Sequence, residues 1–361
     1  NWARWGTGTQ GMLADGQHTG LAAQVTAGDV SHAVVAIGQN DFRPDLAAYQ
    51  GIYFESWTGQ QIAQYATQVV TNIGTALATL HPTGVAIVLS NIADYGVAPV
   101  TQEFFTDPDS RDLVTDVITG INHRLVQLAE GYGITLVDAF GSSVAQLGTN
   151  QAVIASQTIG GQVFQNDYDE NDDTGTKPHL AFVHDGIHPN TVPSGILANL
   201  FLTACEVGYG ETVSRFSEQE LVELVGLTYG GSDTFNFDYF SYVTDFVGLE
   251  QGFDYGDAPD SYGTLGTSGG ARHFAGSALR LGQDVDTTIE AVGPFDGTGD
   301  DFDGLPDDDG VTFLTSLPVG LAGTVDIEIS GSNDDARLYG WIDFNADGDF
   351  HDVGEQIISG E

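Results

Sequence analysis

The chain has one cysteine, one methionine and one lysine among its 361 residues. Nine Lys and Arg stand against 51 Asp and Glu, a formal net charge of -42 at pH 7. A single cysteine excludes an internal disulfide and a cysteine metal cluster. Cys205 sits in the apolar helical pattern "ILANLFLTACEVG", so a buried, inert thiol is expected. The scarcity of cations argues against nucleic acid and anionic lipid, because a surface this negative repels phosphate. It suits solubility at high ionic strength, or the capture of divalent cations. With 41% hydrophobic residues the chain is not a disordered acidic tail. No apolar run reads as transmembrane, and no signal peptide is visible. The chain starts at Asn1 without a methionine, so processing or truncation is expected to have removed a preceding piece.

What is present falls into two halves. Up to about residue 205, short apolar runs alternate with longer helical patterns. "SHAVVAIG", "GVAIVLSNI" and "ITLVDAF" read as strands. "SWTGQQIAQYATQVVTNIGTALATLH" and "SRDLVTDVITGINHRLVQLAEGYG" read as amphipathic helices, and "TVPSGILANLFLTACEV" as a closing helix with Thr191 as N-cap. Val- and Ile-rich strands separated by helices imply a parallel sheet covered on both faces, with any ligand crevice at the carboxyl ends of the strands. Residues 206–252 form a connector with a short helix, "FSEQELVELVGL", capped by Ser217 and Glu220, and an aromatic stretch of ambiguous structure. Residues 251–361 hold 23 acidic and three basic residues, rich in Gly and Asp. Alternating runs such as "GTVDIEISG" predict a small all-β domain with long acidic loops.

Three stretches carry candidate chemistry. "VVAIGQNDF" delivers Asn40 and Asp41 to a strand end. Gly, Asn and Asp also make ordinary turns. "HDGIHPN" spaces Asp185 and His188 so that the carboxylate can accept from imidazole Nδ1, leaving Nε2 as a base. A turn with a surface histidine is the bland alternative. "NWARWGTGT" places Gly6 in a polar loop, where its N–H could be bare.

Taken in order, Gly6, Asn40 in "IGQND", and Asp185 with His188 in "DGIHPN" resemble the SGNH (GDSL-type) hydrolases over roughly residues 1–205, and "SNIADYGVAP" resembles that family's intervening segment. The resemblance implies a flavodoxin-like α/β fold and a serine ester hydrolase. It implies oxyanion-hole donors at Gly6 and Asn40, a base at His188 and an orienting carboxylate at Asp185, with Asp41 holding the loop. The family's Gly-Asp-Ser block is missing, and Ser142 and Ser143 come too late in the chain to replace it. The chain is therefore expected to be a fragment without its nucleophile, inactive as it stands.

In the acidic half, Asp343, Asn345, Asp347 and Asp349 alternate around Gly348, with Glu355 beyond. Hard oxygen ligands at every second position with a glycine bend are what a calcium loop needs. Asp301, Asp303, Asp307 and Asp309 form a second candidate. A solvated acidic loop is the alternative for both. "FDYGDAPDSYGT", "GARH", "LRLGQDVD" and "GWIDFNADGDF" in that order resemble the GEVED domain over about 253–361, without its closing motif. That resemblance implies a secreted or bacterial cell-surface protein. The leading expectation is an extracellular esterase or lipase acting on a small ester or acylated carbohydrate. The acidic calcium-binding domain would meet a cell-surface or polysaccharide partner. The alternative is a calcium-dependent surface adhesion or binding protein with an inactive hydrolase-like domain.

Overall fold

The structure is a computed structural model. It describes residues 2–172 and 176–247, and beyond them 253–255, 262, 272–274, 279–282, 310–315, 323–331, 337–345, 348–350 and 352–360. The chain divides into two compact units, Asn1–Val247 and Gly248–Glu361.

The first unit runs α1 (Thr9–Ala14), α2 (Gln17–Thr26), β1 (His32–Val35), α3 (Ala47–Tyr53), α4 (Gly59–Leu80), β2 (Ala86–Ser90), α5 (Pro99–Phe104), α6 (Pro108–Gly131), β3 (Thr135–Val137) and α7 (Ala139–Leu147). Two short antiparallel pairs follow, β4 (Gly148–Thr149) with β5 (Ala152–Val153), and β6 (Ser156–Ile159) with β7 (Gln162–Gln165). Then come α8 (Thr191–Tyr209), α9 (Glu218–Leu224) and β8 (Val243–Asp245). The result is a mixed α/β unit. Its sheet has the order β1-β2-β3-β8. The first three strands are parallel, and β8 is antiparallel to β3. The sheet is therefore mixed, where the sequence pattern predicts a parallel one.

Both faces of the central strands are covered. Val88 and Val137 pack with Leu200 and Ala204 of α8. Ile87 and Leu89 point the opposite way, as alternation along a strand requires, and are equally buried. The helices start where their caps dictate. Thr58 and Gln61 form a capping box on α4, and Asp107 caps α6 with Pro108 in its first turn. On α8 the cap is Asn190, one residue before the expected Thr191, and its side chain accepts from Thr191 N–H. By length and composition α8 is apolar enough to cross a membrane, a property the sequence reading missed. In this fold it lies on the sheet, with Val192, Ile196, Leu200 and Ala204 buried. Cys205 is a free thiol, half-buried rather than fully buried.

Residues 206–247, read from sequence as the start of a connector, belong to the first unit. The reason is local. Leu221 and Val222 of α9 join Ile159, Phe164, Val192 and Ile196 in one apolar cluster. The Glu218 carboxylate accepts from the backbone N–H groups of Gly160 (2.5 Å), Thr234 (2.9 Å), Phe235 (2.9 Å) and Asn236 (3.0 Å). Phe237, Tyr239 and Tyr242 cover the end of α8, and β8 then closes the sheet.

In the second unit the described residues carry four antiparallel strand pairs: Phe253–Tyr255 with Arg272–Phe274, Arg280–Leu281 with Ile329–Ser330, Val311–Phe313 with Val325–Ile327, and Tyr339–Trp341 with Gln356–Ser359.

Burial opposes ionisation of Glu218, but its four amide bonds outweigh burial and hold the carboxyl below its ordinary value of 4.5. The folded state therefore binds this proton less readily than the unfolded chain. The stability it confers is complete above pH ~4.5 and is lost as pH falls through the lower folded value. Denaturant melts of Glu218→Gln should show lower stability than the parent at pH 7 and a smaller gap at pH 3.5. A gap that stays constant across that range would contradict the assignment.

Candidate active site

Asn40 reaches the site through a turn that only glycine permits. After β1 the chain bends at Gly38, whose φ is 110°. A Cβ there would sit 2.4 Å from Ile92 Cδ1, far inside contact distance. The turn Gln39–Phe42 follows, and fully buried Phe42 anchors it edge-on against the Tyr65 ring.

Asp41 fixes the turn to the N-terminal loop. Its two carboxylate oxygens accept from Thr9 N–H and Thr9 Oγ1, both at 2.8 Å. Asn72 Nδ2 donates to Thr9 Oγ1 at 3.0 Å, and Tyr65 OH donates to the Asp41 carbonyl at 2.8 Å. Asn40 Nδ2 donates to the Thr7 carbonyl at 3.2 Å, which uses one of its two N–H bonds. Gly6, with φ of 70°, is the neighbour of Thr7. The Asn40 side chain thus meets the loop that carries Gly6, although Gly6 itself does not line the cavity. Asp41 holds the loop and is buried.

Asp185 and His188 lie in a tight turn between Val183 and His188, closed by Val183 N–H to the His188 carbonyl at 3.0 Å. Gly186 has φ of 70°, and a Cβ there would lie 2.8 Å from Val100 Cβ and 3.1 Å from the Tyr168 ring. One Asp185 oxygen accepts from the backbone N–H groups of Ile187 and His188, each at 2.9 Å. The other lies 2.6 Å from His188 Nδ1. Burial works against the Asp185 charge, but the two amides and the imidazole outweigh it and keep the carboxyl below its ordinary value. An ionised carboxylate on Nδ1 leaves Nε2 as the free nitrogen. The His188 side chain is half exposed.

Asn40 and His188 line the same cavity, of about 400 Å³, at the carboxyl ends of β1, β2 and β3. Ser90, Ser142 and Ser143 also line it. Ser90 Oγ donates to the Asn91 carbonyl, Ser143 Oγ donates to the Phe140 carbonyl, and Ser142 Oγ accepts from Gln146 Nε2. Among the described residues no serine hydrogen-bonds to His188.

Asp94, within the "SNIADYGVAP" segment, is a wall residue that no motif spacing singles out. It accepts from Thr115 Oγ1 at 2.5 Å and from Gly96 N–H at 2.7 Å, and burial pushes its carboxyl up. Thr115 in turn accepts from Asn150, which also contacts Arg111 and Asp112. No motif spacing announces such a network, because its members come from separate elements.

The candidate calcium residues lie only partly within the described residues. Asp347, Asp301, Asp303, Asp307 and Asp309 lie outside the described residues. Asp343 accepts from Tyr262 OH at 2.8 Å and from Gly348 N–H at 3.0 Å. Asn345 Nδ2 donates to Asp352 at 2.7 Å. Glu355 is buried, and one of its oxygens accepts from Asp352 N–H at 3.0 Å. Among the described residues no group of three or more His, Cys, Asp or Glu is placed to hold a metal. Compared with known proteins, the chain matches no family model, no curated protein and no solved structure.

Burial is the largest influence on Asp41 and raises its carboxyl above the ordinary 3.8, against the bonds from Thr9. Here the folded state binds the proton more readily than the unfolded chain. Asp41 therefore lowers stability as pH rises from 3.8 through the raised folded value. Asp41→Asn, which like the protonated acid offers one carbonyl acceptor and one donor, should gain stability relative to the parent as pH rises across that window. Parallel stability curves for variant and parent between pH 3.5 and 7 would contradict this.

Proposed function

We propose that the first unit is an ester-hydrolysing domain of the SGNH kind. The carrying observation is that His188, held by Asp185, and Asn40 line one cavity, with the loop that carries Gly6 bound to Asn40. In this reading Asp185 fixes the imidazole tautomer, and His188 Nε2 takes a proton from the acyl acceptor. The second Asn40 N–H, with the Gly6 N–H, receives the charge that develops on the carbonyl oxygen. One such donor is typically worth ~3 kcal/mol of barrier. Asp185 and Asp41 are positioning residues, since neither touches the reacting carbonyl.

The reading requires a nucleophile. The 361 residues contain no Gly-Asp-Ser block, and the serines in the cavity wall are bonded elsewhere. This chain by itself is therefore expected to bind an ester without forming an acyl-enzyme. An external acceptor tests what remains of the machinery. Hydroxylamine should cleave p-nitrophenyl butyrate faster in the presence of the chain. His188→Ala should remove at least tenfold of that acceleration, given that a positioned base contributes roughly 10²–10⁴-fold. Asn40→Ala should lower it without changing its pH profile. Equal rates with and without His188 would sink the reading.

For the acidic half we propose calcium, because Glu355 is buried with Oε1 unpartnered while its other oxygen faces Asp352. Extracellular modules bind calcium at roughly 0.1–1 mM, and binding to the folded state alone raises stability. Excess EDTA should lower the melting temperature of the parent chain relative to 5 mM CaCl₂, and Glu355→Gln should blunt the difference. Coincident parent curves would leave Asp343 to Glu355 as a solvated loop.

A further inference from the structure

The walls of the cavity bear on which ester fits it. This inference rests on the hydrolase reading above for the position of the carbonyl, but its own content concerns the acyl group.

Several polar side chains of the cavity wall are already engaged with the protein. Ser90 donates to the Asn91 carbonyl and Ser143 to the Phe140 carbonyl. Gln146 Nε2 donates to Ser142. Gln157 Nε2 and Asn166 Nδ2 both donate to the Gln146 carbonyl, and Asn166 also to the Ile154 carbonyl. The Gln146 carbonyl only accepts, so the Gln157 amide must face it with nitrogen. That leaves Gln157 Oε1 as an acceptor without a partner, but it is shut off from solvent. A sugar placed against this part of the wall would have to break existing bonds to have its hydroxyls recognised.

Apart from Gln39, Asp94 and Tyr95, the remaining wall is largely apolar. Pro193, Leu197 and Phe201, four residues apart on α8, line the cavity together with Phe164 of β7, Phe182 and Ile187. Leu197 remains 37% exposed because it borders this open space. No Lys or Arg lines the cavity, so an anionic group has no counter-charge there. Asn40 and His188 keep polar groups available at the reacting end, and Gln39, Asp94 and Tyr95 are the other polar groups of the wall. The volume of about 400 Å³ lies in the range that takes a small organic ligand, roughly 300–1,000 Å³, well beyond an acetyl group.

We infer that the cavity takes the unbranched apolar acyl chain of an ester, of about six to ten carbons, with its carbonyl between Asn40 and His188. Acetylated carbohydrates are the substrate class it disfavours.

The experiment is calorimetric titration of the 361-residue chain with methyl octanoate, methyl acetate and a monoacetylated glucose. Methyl octanoate should bind at least tenfold more tightly than either acetyl ester. Leu197→Glu should abolish that preference. Because Leu197 is partly exposed, the charge need not be buried, and a melting curve checks that the variant folds. Leu197→Ala, which introduces no charge, should weaken octanoate binding by a smaller factor. Equal affinities in the parent chain overturn the inference, as does octanoate binding that Leu197→Glu leaves intact in a folded variant. The two readings fail separately. Tight octanoate binding without base-assisted cleavage of any ester removes the hydrolase reading and leaves an acyl-binding cavity. Base-assisted cleavage of acetyl esters without octanoate preference removes the acyl-chain inference and leaves the hydrolase reading.

Discussion

The carboxylate of Asp41 is the interaction on which the site depends. It joins residues 32 apart in sequence through two bonds to Thr9, and those bonds are made in the interior, where they are electrostatically strong. Remove them and the Gly6–Thr7 loop is no longer fixed to the end of β1. Asn40 would then lose the Thr7 carbonyl that sets its orientation. Burial raises the energy of the Asp41 charge, and the bonds only partly offset this. The fold thus accepts an electrostatic cost at the point where it orients a side chain. Local costs of that kind are common at functional sites.

The other half of the site is built by a different device. Asp185 is oriented by backbone amides of its own turn rather than by a distant segment. That turn closes around a glycine that leaves room for Tyr168 and Val100. One half is therefore long-range and buried, the other local and half exposed. They meet because parallel strands present their carboxyl ends together, and the crevice forms there. Glu218 supports the same region from behind by tying the β6–β7 hairpin to residues 234–236. Ile159 and Phe164 of that hairpin line the cavity.

The three parallel strands and the long helices were legible in the sequence because each carries its own periodic pattern and cap. Asn40, Asp185 and His188 stand out only weakly from those patterns, and what marks them as candidates for one site is their ordered resemblance, with Gly6, to the SGNH hydrolases. Strand β8 was not legible. Its three residues are too short for a pattern, and it pairs only because α8 and the aromatics Phe237, Tyr239 and Tyr242 already cover that edge. The Asp94–Thr115–Asn150 network and the cavity walls were invisible for the same reason, since each is assembled from elements that are neighbours only in the fold. The cap of α8 fell on Asn190 rather than Thr191 because both are good caps and only backbone geometry separates them.

The central claim is that Asn40 and His188 act on one bound carbonyl group, Asn40 at its oxygen and His188 at the acceptor that attacks its carbon. It can be measured by NMR titration of the isotope-labelled chain with butanamide, an unreactive neutral carbonyl compound. The account predicts that the Asn40 side-chain N–H₂ and the His188 imidazole signals shift together, with one dissociation constant. Shifts that saturate at different concentrations, or a His188 response without any at Asn40, would show that the two residues do not share a ligand and would contradict the account.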